Sequence, residues 1–138
     1  MYLLDTNVVS ELRKGSKAHQ AVRAWNKGVA ASACYLAAVS LFELRLGALL
    51  RRRRDPDQGE VLLSWIRQVE TNFGPRILDT TSRDWIRAAK LHVPDPRPLR
   101  DSLIAATALN HGLVVVTRSV VDFERMAVEL IDPWTHGP

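Results

Sequence analysis

Leu113-Val114-Val115-Val116-Thr117 sets three consecutive valines in a run with no charged side chain on either face of an extended chain. A strand with one wet face alternates polar and apolar residues, so this run reads as a strand covered on both sides. Tyr2-Leu3-Leu4 is a second short apolar run, stopped by Asp5. A third, Ala33-Cys34-Tyr35-Leu36-Ala37-Ala38-Val39, reads as extended in its first half, and Ile77-Leu78 and Val128 to Ile131 add two more. Between them the apolar residues follow helical spacing. Val8, Val9 and Leu12 follow the capping side chains of Asp5-Thr6-Asn7, and Ala18, Ala21, Val22 and Trp25 precede Gly28. Leu41 to Leu49 leads into Arg51–Arg54, Val61 to Val69 stops near Gly74-Pro75, and Leu99 to His111 stops at Gly112. Thr81 opens a further helix carrying Trp85 and Ile86, and a short helical turn is expected over Phe123 to Met126. The sequence therefore predicts an α/β fold, a central short parallel sheet of four to five strands with helices on both faces. At 138 residues it predicts a single domain, 1–138.

Cys34 is the only cysteine, which excludes an internal disulfide and a multi-cysteine zinc site and suits a reducing compartment. The first residues carry no basic region. The uncharged stretch from Gly28 to Phe42 is shorter than the ~20 residues that span a bilayer. A cytoplasmic chain with no membrane partner is expected. Lys and Arg total 19 against 15 Asp and Glu, a net charge of +4 that suits a polyanionic partner.

In an open parallel sheet, chemistry gathers beyond the carboxyl ends of the strands. Asp5 ends the first strand, Glu43 follows the second, and Asp101 opens the helix before the valine run. Asp79 and Asp122 are further candidates. Each has a structural alternative. Asp5 and Asp101 suit the positive end of a helix, worth ~0.3–1 kcal/mol, and Ser40-Leu41-Phe42-Glu43 matches a capping box. Three carboxylates within ~4–5 Å of one another, however, repel by about 3–4 kcal/mol per pair at an effective dielectric near 20. Capping does not offset that, so such a cluster takes up a proton or a divalent cation. An oxygen-only donor set suits Mg²⁺ or Mn²⁺, which activates water in phosphodiester hydrolysis. His19, His92, His111 and His136 never occur as a close pair.

The residues at these positions resemble a known family. Leu3-Leu4-Asp5-Thr6-Asn7-Val8-Val9-Ser10-Glu11 is similar to the opening of PIN-domain ribonucleases of the VapC toxin type. Leu41-Phe42-Glu43-Leu44-Arg45-Leu46-Gly47 resembles their second acidic motif, Asp101-Ser102-Leu103-Ile104-Ala105-Ala106-Thr107-Ala108 their third, and Val115-Val116-Thr117-Arg118-Ser119-Val120-Val121-Asp122-Phe123 their fourth. The four occur in family order over nearly the whole chain. The resemblance implies a metal-dependent endoribonuclease, the toxin of a toxin–antitoxin pair. Asp5, Glu43 and Asp101 would be its catalytic, metal-binding carboxylates, with Asp122 a further candidate ligand. Thr6 and Asn7 would brace the first loop, and Thr117 and Ser119 would lie at the pocket rim. Many members have Asn or Asp where this chain has Ser119, whose neutral hydroxyl is a weak ligand, so one well-held ion is expected. A cognate antitoxin and a homodimer are also implied.

Arg100 and Arg118 adjoin the acidic positions and Arg13 and Lys14 follow the first helix, all candidates for phosphate contact, whereas Arg51–Arg54 reads either as an RNA contact or as a solvated helix end. Trp25, Trp65 and Trp85 fall on apolar stripes and are expected in the core, with Trp134 open to either role. Val22, Trp25, Leu46, Leu49 and Leu50 exceed what one small sheet needs to cover, so exposed apolar surface is expected on these helices. Two other parallel-sheet chemistries fail. A dehalogenase-type phosphatase needs a second Asp where Asn7 stands, and a receiver domain needs a lysine that Thr117-Arg118-Ser119 does not supply. The alternative that remains is a degenerate PIN domain that binds RNA or a protein partner without cleavage.

Overall fold

The computed structural model describes residues 1–136. Five strands, β1 (Tyr2–Leu4), β2 (Cys34–Ala37), β3 (Ile77–Leu78), β4 (Val114–Val116) and β5 (Leu130–Ile131), form one sheet in the order β3-β2-β1-β4-β5. Every neighbouring pair is parallel, with Leu3 opposite both Tyr35 and Val115. The helices are α1 (Thr6–Leu12), α2 (Gln20–Lys27), α3 (Ala38–Arg54), α4 (Pro56–Phe73), α5 (Ser82–Leu91), α6 (Leu99–His111) and α7 (Val120–Phe123). No helix among the described residues is long and apolar enough to cross a membrane.

The two-residue period of a strand sends its side chains to opposite faces, and the core divides accordingly. Leu4, Leu36 and Val116 pack with Val8, Trp25, Leu44, Leu63 and Ile66 from α1 to α4. Leu3, Ala37 and Val115 pack on the other side with Ile104, Ala105 and Ala108 of α6 and Phe123. The small alanines let α6 lie close against the sheet. Gly112 ends α6 in the left-handed conformation (φ 65°), where a Cβ would be strained.

Three local expectations are corrected. α3 begins at Ala38, directly from β2, so Ser40 lies inside the helix with its buried hydroxyl unpartnered and forms no capping box with Glu43. The short late helix is Val120–Phe123 rather than Phe123 to Met126, and Met126 is buried in the core beyond it. Trp85 is 48% exposed, whereas Val22 and Trp25 are buried, Trp25 edge-on to Tyr2. The apolar surface that remains exposed on α3 is Phe42, Leu46, Leu49 and Leu50.

The sheet order fixes where chemistry can gather. The chain runs outward from β1 through β2 to β3, then returns to place β4 on the other side of β1. Connections therefore diverge at β1 and β4, opening a crevice at their carboxyl ends. Asp5 and Thr117 are the first residues beyond those ends.

Candidate active site

Asp5 leaves β1 in an extended conformation and caps α1, its Oδ1 accepting the Thr6 amide at 2.7 Å. Its other oxygen, Oδ2, accepts from the Thr117 hydroxyl, also at 2.7 Å, across a sequence separation of 112. Capping and a place in the site are thus compatible in one residue. Each oxygen keeps a lone pair for another partner. The side chain is only 7% exposed, and burial raises its carboxyl pKa against the lowering effect of those two hydrogen bonds.

Thr117 sits at the centre of a polar chain. Its hydroxyl receives the Ser119 amide at 2.9 Å and the Asn7 side-chain amide at 3.4 Å while donating to Asp5. Asn7 also donates to Ser119 Oγ at 3.3 Å and accepts the Arg118 amide at 3.4 Å. The loop after β4 is therefore tied to the loop after β1. Thr117 is fully buried, a support beneath Asp5 rather than a rim residue. Ser119 is held within this network.

Thr6 joins the second acid to the first. Its backbone amide holds Asp5, and its hydroxyl donates to Glu43 Oε1 at 3.0 Å. The other Glu43 oxygen faces the Arg100 guanidinium at 3.4 Å. Burial pushes the Glu43 carboxyl up, Thr6 opposes that, and the charge of Asp5 adds to it. Asp101, in the first turn of α6, has no such support. Burial first, then the charges of Asp5, Asp122 and Glu43, push its carboxyl up to about 6.

Asp5, Glu43 and Asp101 all line one open cavity of about 480 Å³, with Asn7, Arg118 and Trp134 on its walls. Arg118 lies over the Trp134 ring, 5.2 Å from its centroid. The remaining candidates are less central. Asp122 is exposed on α7 and off the cavity lining, although its charge reaches Asp5 and Asp101, and Asp79 is exposed at the end of β3. Lys14, a basic candidate for phosphate contact, also lines the cavity, as do Ser10 and Glu11, which were not anticipated as site residues. A signal for them exists: Thr6, Asn7, Ser10, Glu11 and Lys14 follow three- and four-residue spacing on α1 and just beyond it, opposite the buried Val8 and Val9.

Among the described residues no three acidic, histidine or cysteine side chains are gathered closely enough to enclose an ion. Asp5 and Glu43 are each bonded to Thr6, and Asp101 reaches the cavity from the first turn of α6. The donor set is still oxygen only, negatively charged and open to water. Mg²⁺ and Mn²⁺ bind through one or two carboxylates and complete their shells with water and phosphate, so the residues fit such an ion.

The comparisons with known proteins agree with this architecture. A family model described as PIN domain matches residues 2–129. The VapC ribonuclease Y4jK of Sinorhizobium fredii is 34% identical over 97% of this chain and 98% of its own length. Toxin FitB of Neisseria gonorrhoeae is 35% identical over 97% of this chain and 99% of its own length. Among solved structures, FitAcB from Neisseria gonorrhoeae superposes with a TM-score of 0.87 at 31% identity, covering 98% of this chain and 99% of that one.

Proposed function

We propose a function from the premise that this chain belongs to the PIN-domain family: it is the ribonuclease toxin of a toxin–antitoxin pair, dependent on Mg²⁺ or Mn²⁺. The observation that carries the reading is the convergence of Asp5, Glu43 and Asp101, from three remote segments, on one cavity at the carboxyl ends of β1 and β4. Relatives named as a VapC ribonuclease and as a toxin support the activity and the pairing with an antitoxin.

When bound, the ion would supply Lewis acidity toward water and the phosphodiester oxygens. The chain's own residues prepare the cavity for it. Thr117 and the Thr6 amide fix the plane of the Asp5 carboxylate, and Thr6 fixes Glu43 beside it, so little ordering is left to occur on binding. Asp101 completes the negative lining, and a cation there would offset the burial and the repulsion that together raise its carboxyl. Arg118 on the wall and Arg100 beside Glu43 offer guanidinium donors to phosphate oxygens. Ser119 is engaged by Asn7 and Asp122 stands off the lining, so one ion is the expected complement. The exposed leucines of α3 offer apolar surface for an antitoxin segment, and Phe42, Trp85 and Leu99 around a cavity of about 390 Å³ do so for a second copy of the chain.

The test is cleavage of structured RNA by the purified chain in Mg²⁺ or Mn²⁺ and in EDTA, with Asp5→Asn and Asp101→Asn alongside. Ion-dependent cleavage lost in both variants is expected. Equal degradation by all three proteins, or RNA binding without cleavage by the folded wild type, would overturn the enzymatic reading.

A further inference from the structure

We propose that the groove walled by α1, α3 and α4 is a second binding site, continuous with the acidic cavity, that takes the sugar-phosphate backbone of the RNA strand beyond the bond to be cut. The inference rests on the ribonuclease reading above and assigns the strand a path. The groove encloses about 550 Å³ and shares Thr6, Ser10, Lys14 and Glu43 with the acidic cavity, so the two form one channel.

The sign of the charge reverses along that channel. Among the described residues Glu43 is the only acidic one lining the groove, whereas Arg13, Lys14, Arg51 and Arg54 all line it. Glu43 already faces Arg100, and Lys14 is paired with Glu11 at 2.9 Å. Arg13, Arg51 and Arg54 form no ion pair among the described residues. Helical geometry explains the alignment. Glu43, Gly47, Arg51 and Arg54 share one face of α3, which places the two arginines about 12 and 16 Å along the axis from the acid. The other two members of the arginine run are accounted for differently: Arg52 pairs with Glu60 at 3.2 Å, and Arg53 does not line the groove.

The groove is also shaped for a chain lying in it. A Cβ added at Gly47 would meet nothing within 4 Å, so the α3 wall is open there. Arg13 is held over the Trp65 ring, 5.8 Å from its centroid, which limits the guanidinium's freedom before any ligand arrives. A row of unpaired guanidinium groups leading away from a cation-binding pocket matches a polyanion whose scissile bond lies at the acidic end. An acidic peptide would also satisfy the charges, but it gains nothing from continuity with a site that handles phosphodiesters.

The test measures binding of a labelled single-stranded RNA of about 12 nucleotides, a length within the range of single-strand sites. Fluorescence anisotropy is recorded in EDTA over a salt series for wild type, the double variant Arg51→Gln/Arg54→Gln, and Arg53→Gln. All three arginines are exposed, so the fold should survive each change, which urea midpoints verify. The double variant should bind at least tenfold more weakly at low salt. Its log–log salt slope should flatten by about 1.4, from ~0.7 per lost phosphate contact. Arg53→Gln should leave both quantities near wild type. Equal behaviour of the double variant and Arg53→Gln would overturn the groove assignment. If wild type cuts RNA while the double variant binds it with an unchanged slope, this inference alone fails. If wild type neither binds nor cuts RNA, the ribonuclease reading fails with it.

Discussion

Asp101 should make the metal-free protein less stable as pH rises. Its carboxyl lies at about 6 in the folded chain against 3.8 as the ordinary value. Between those values the native state binds more protons than the unfolded one, so stability is greatest below 3.8 and falls as pH rises through 6. The full difference corresponds to about 3 kcal/mol, which solvent screening of a partly exposed group reduces to about 1–2 kcal/mol. Asp101→Asn keeps the shape and removes the charge. In EDTA, urea unfolding at pH 4.5 and pH 7.5 should show the wild type losing about two-thirds of that amount while the variant loses much less. At pH 7.5 the variant should be the more stable of the two. Asp101 also sits in the first turn of α6, where its charge favours the helix by ~0.3–1 kcal/mol. A variant less stable than wild type at pH 7.5 would show that helix stabilisation outweighs the cost of burying the charge among other acids, and would refute the electrostatic account of the cavity.

Thr117→Val deletes the donor to the buried Asp5 Oδ2, and should cost about 1–3 kcal/mol and most of the cleavage rate, with Thr117→Ser restoring both in urea unfolding and RNA cleavage assays. Gly59→Ala should destabilise by about 1–3 kcal/mol, since the new Cβ would stand 2.3 Å from Arg52 Cβ and force α4 away from α3. Gly47→Ala, in the same helix pair but facing open space, should instead gain about 0.5–1 kcal/mol, and thermal unfolding of the two variants should move in opposite directions.

What the sequence reveals depends on the range of the interaction. The valine run of β4 and the apolar residues before Asp5 follow from burial on both sheet faces, and they lead to the parallel sheet and the carboxyl edge where the acids gather. Gly28, Gly74 and Gly112 mark helix ends because backbone geometry is local. The Ser40–Glu43 pattern misleads for the same reason. A capping box is local, but β2 feeds α3 at Ala38, and Glu43 turns instead to Thr6, 37 residues away in the chain. No spacing rule finds Thr117 beneath Asp5, because that bond exists only once β1 and β4 are paired. The four consecutive arginines likewise look equivalent along the chain. Helical phase separates Arg51 and Arg54, on the groove, from Arg52 and Arg53.

Calorimetric titration of Mn²⁺ into the metal-free chain, repeated in buffers of different ionisation enthalpy at pH 6, measures ion binding and proton release together. Wild type should bind one ion per chain and release protons as Asp101 ionises, and Asp5→Asn and Asp101→Asn should each weaken binding severely. Mn²⁺ bound equally well by wild type and both variants, or not bound by the folded wild type at all, would contradict the claim that these acids form a cation site.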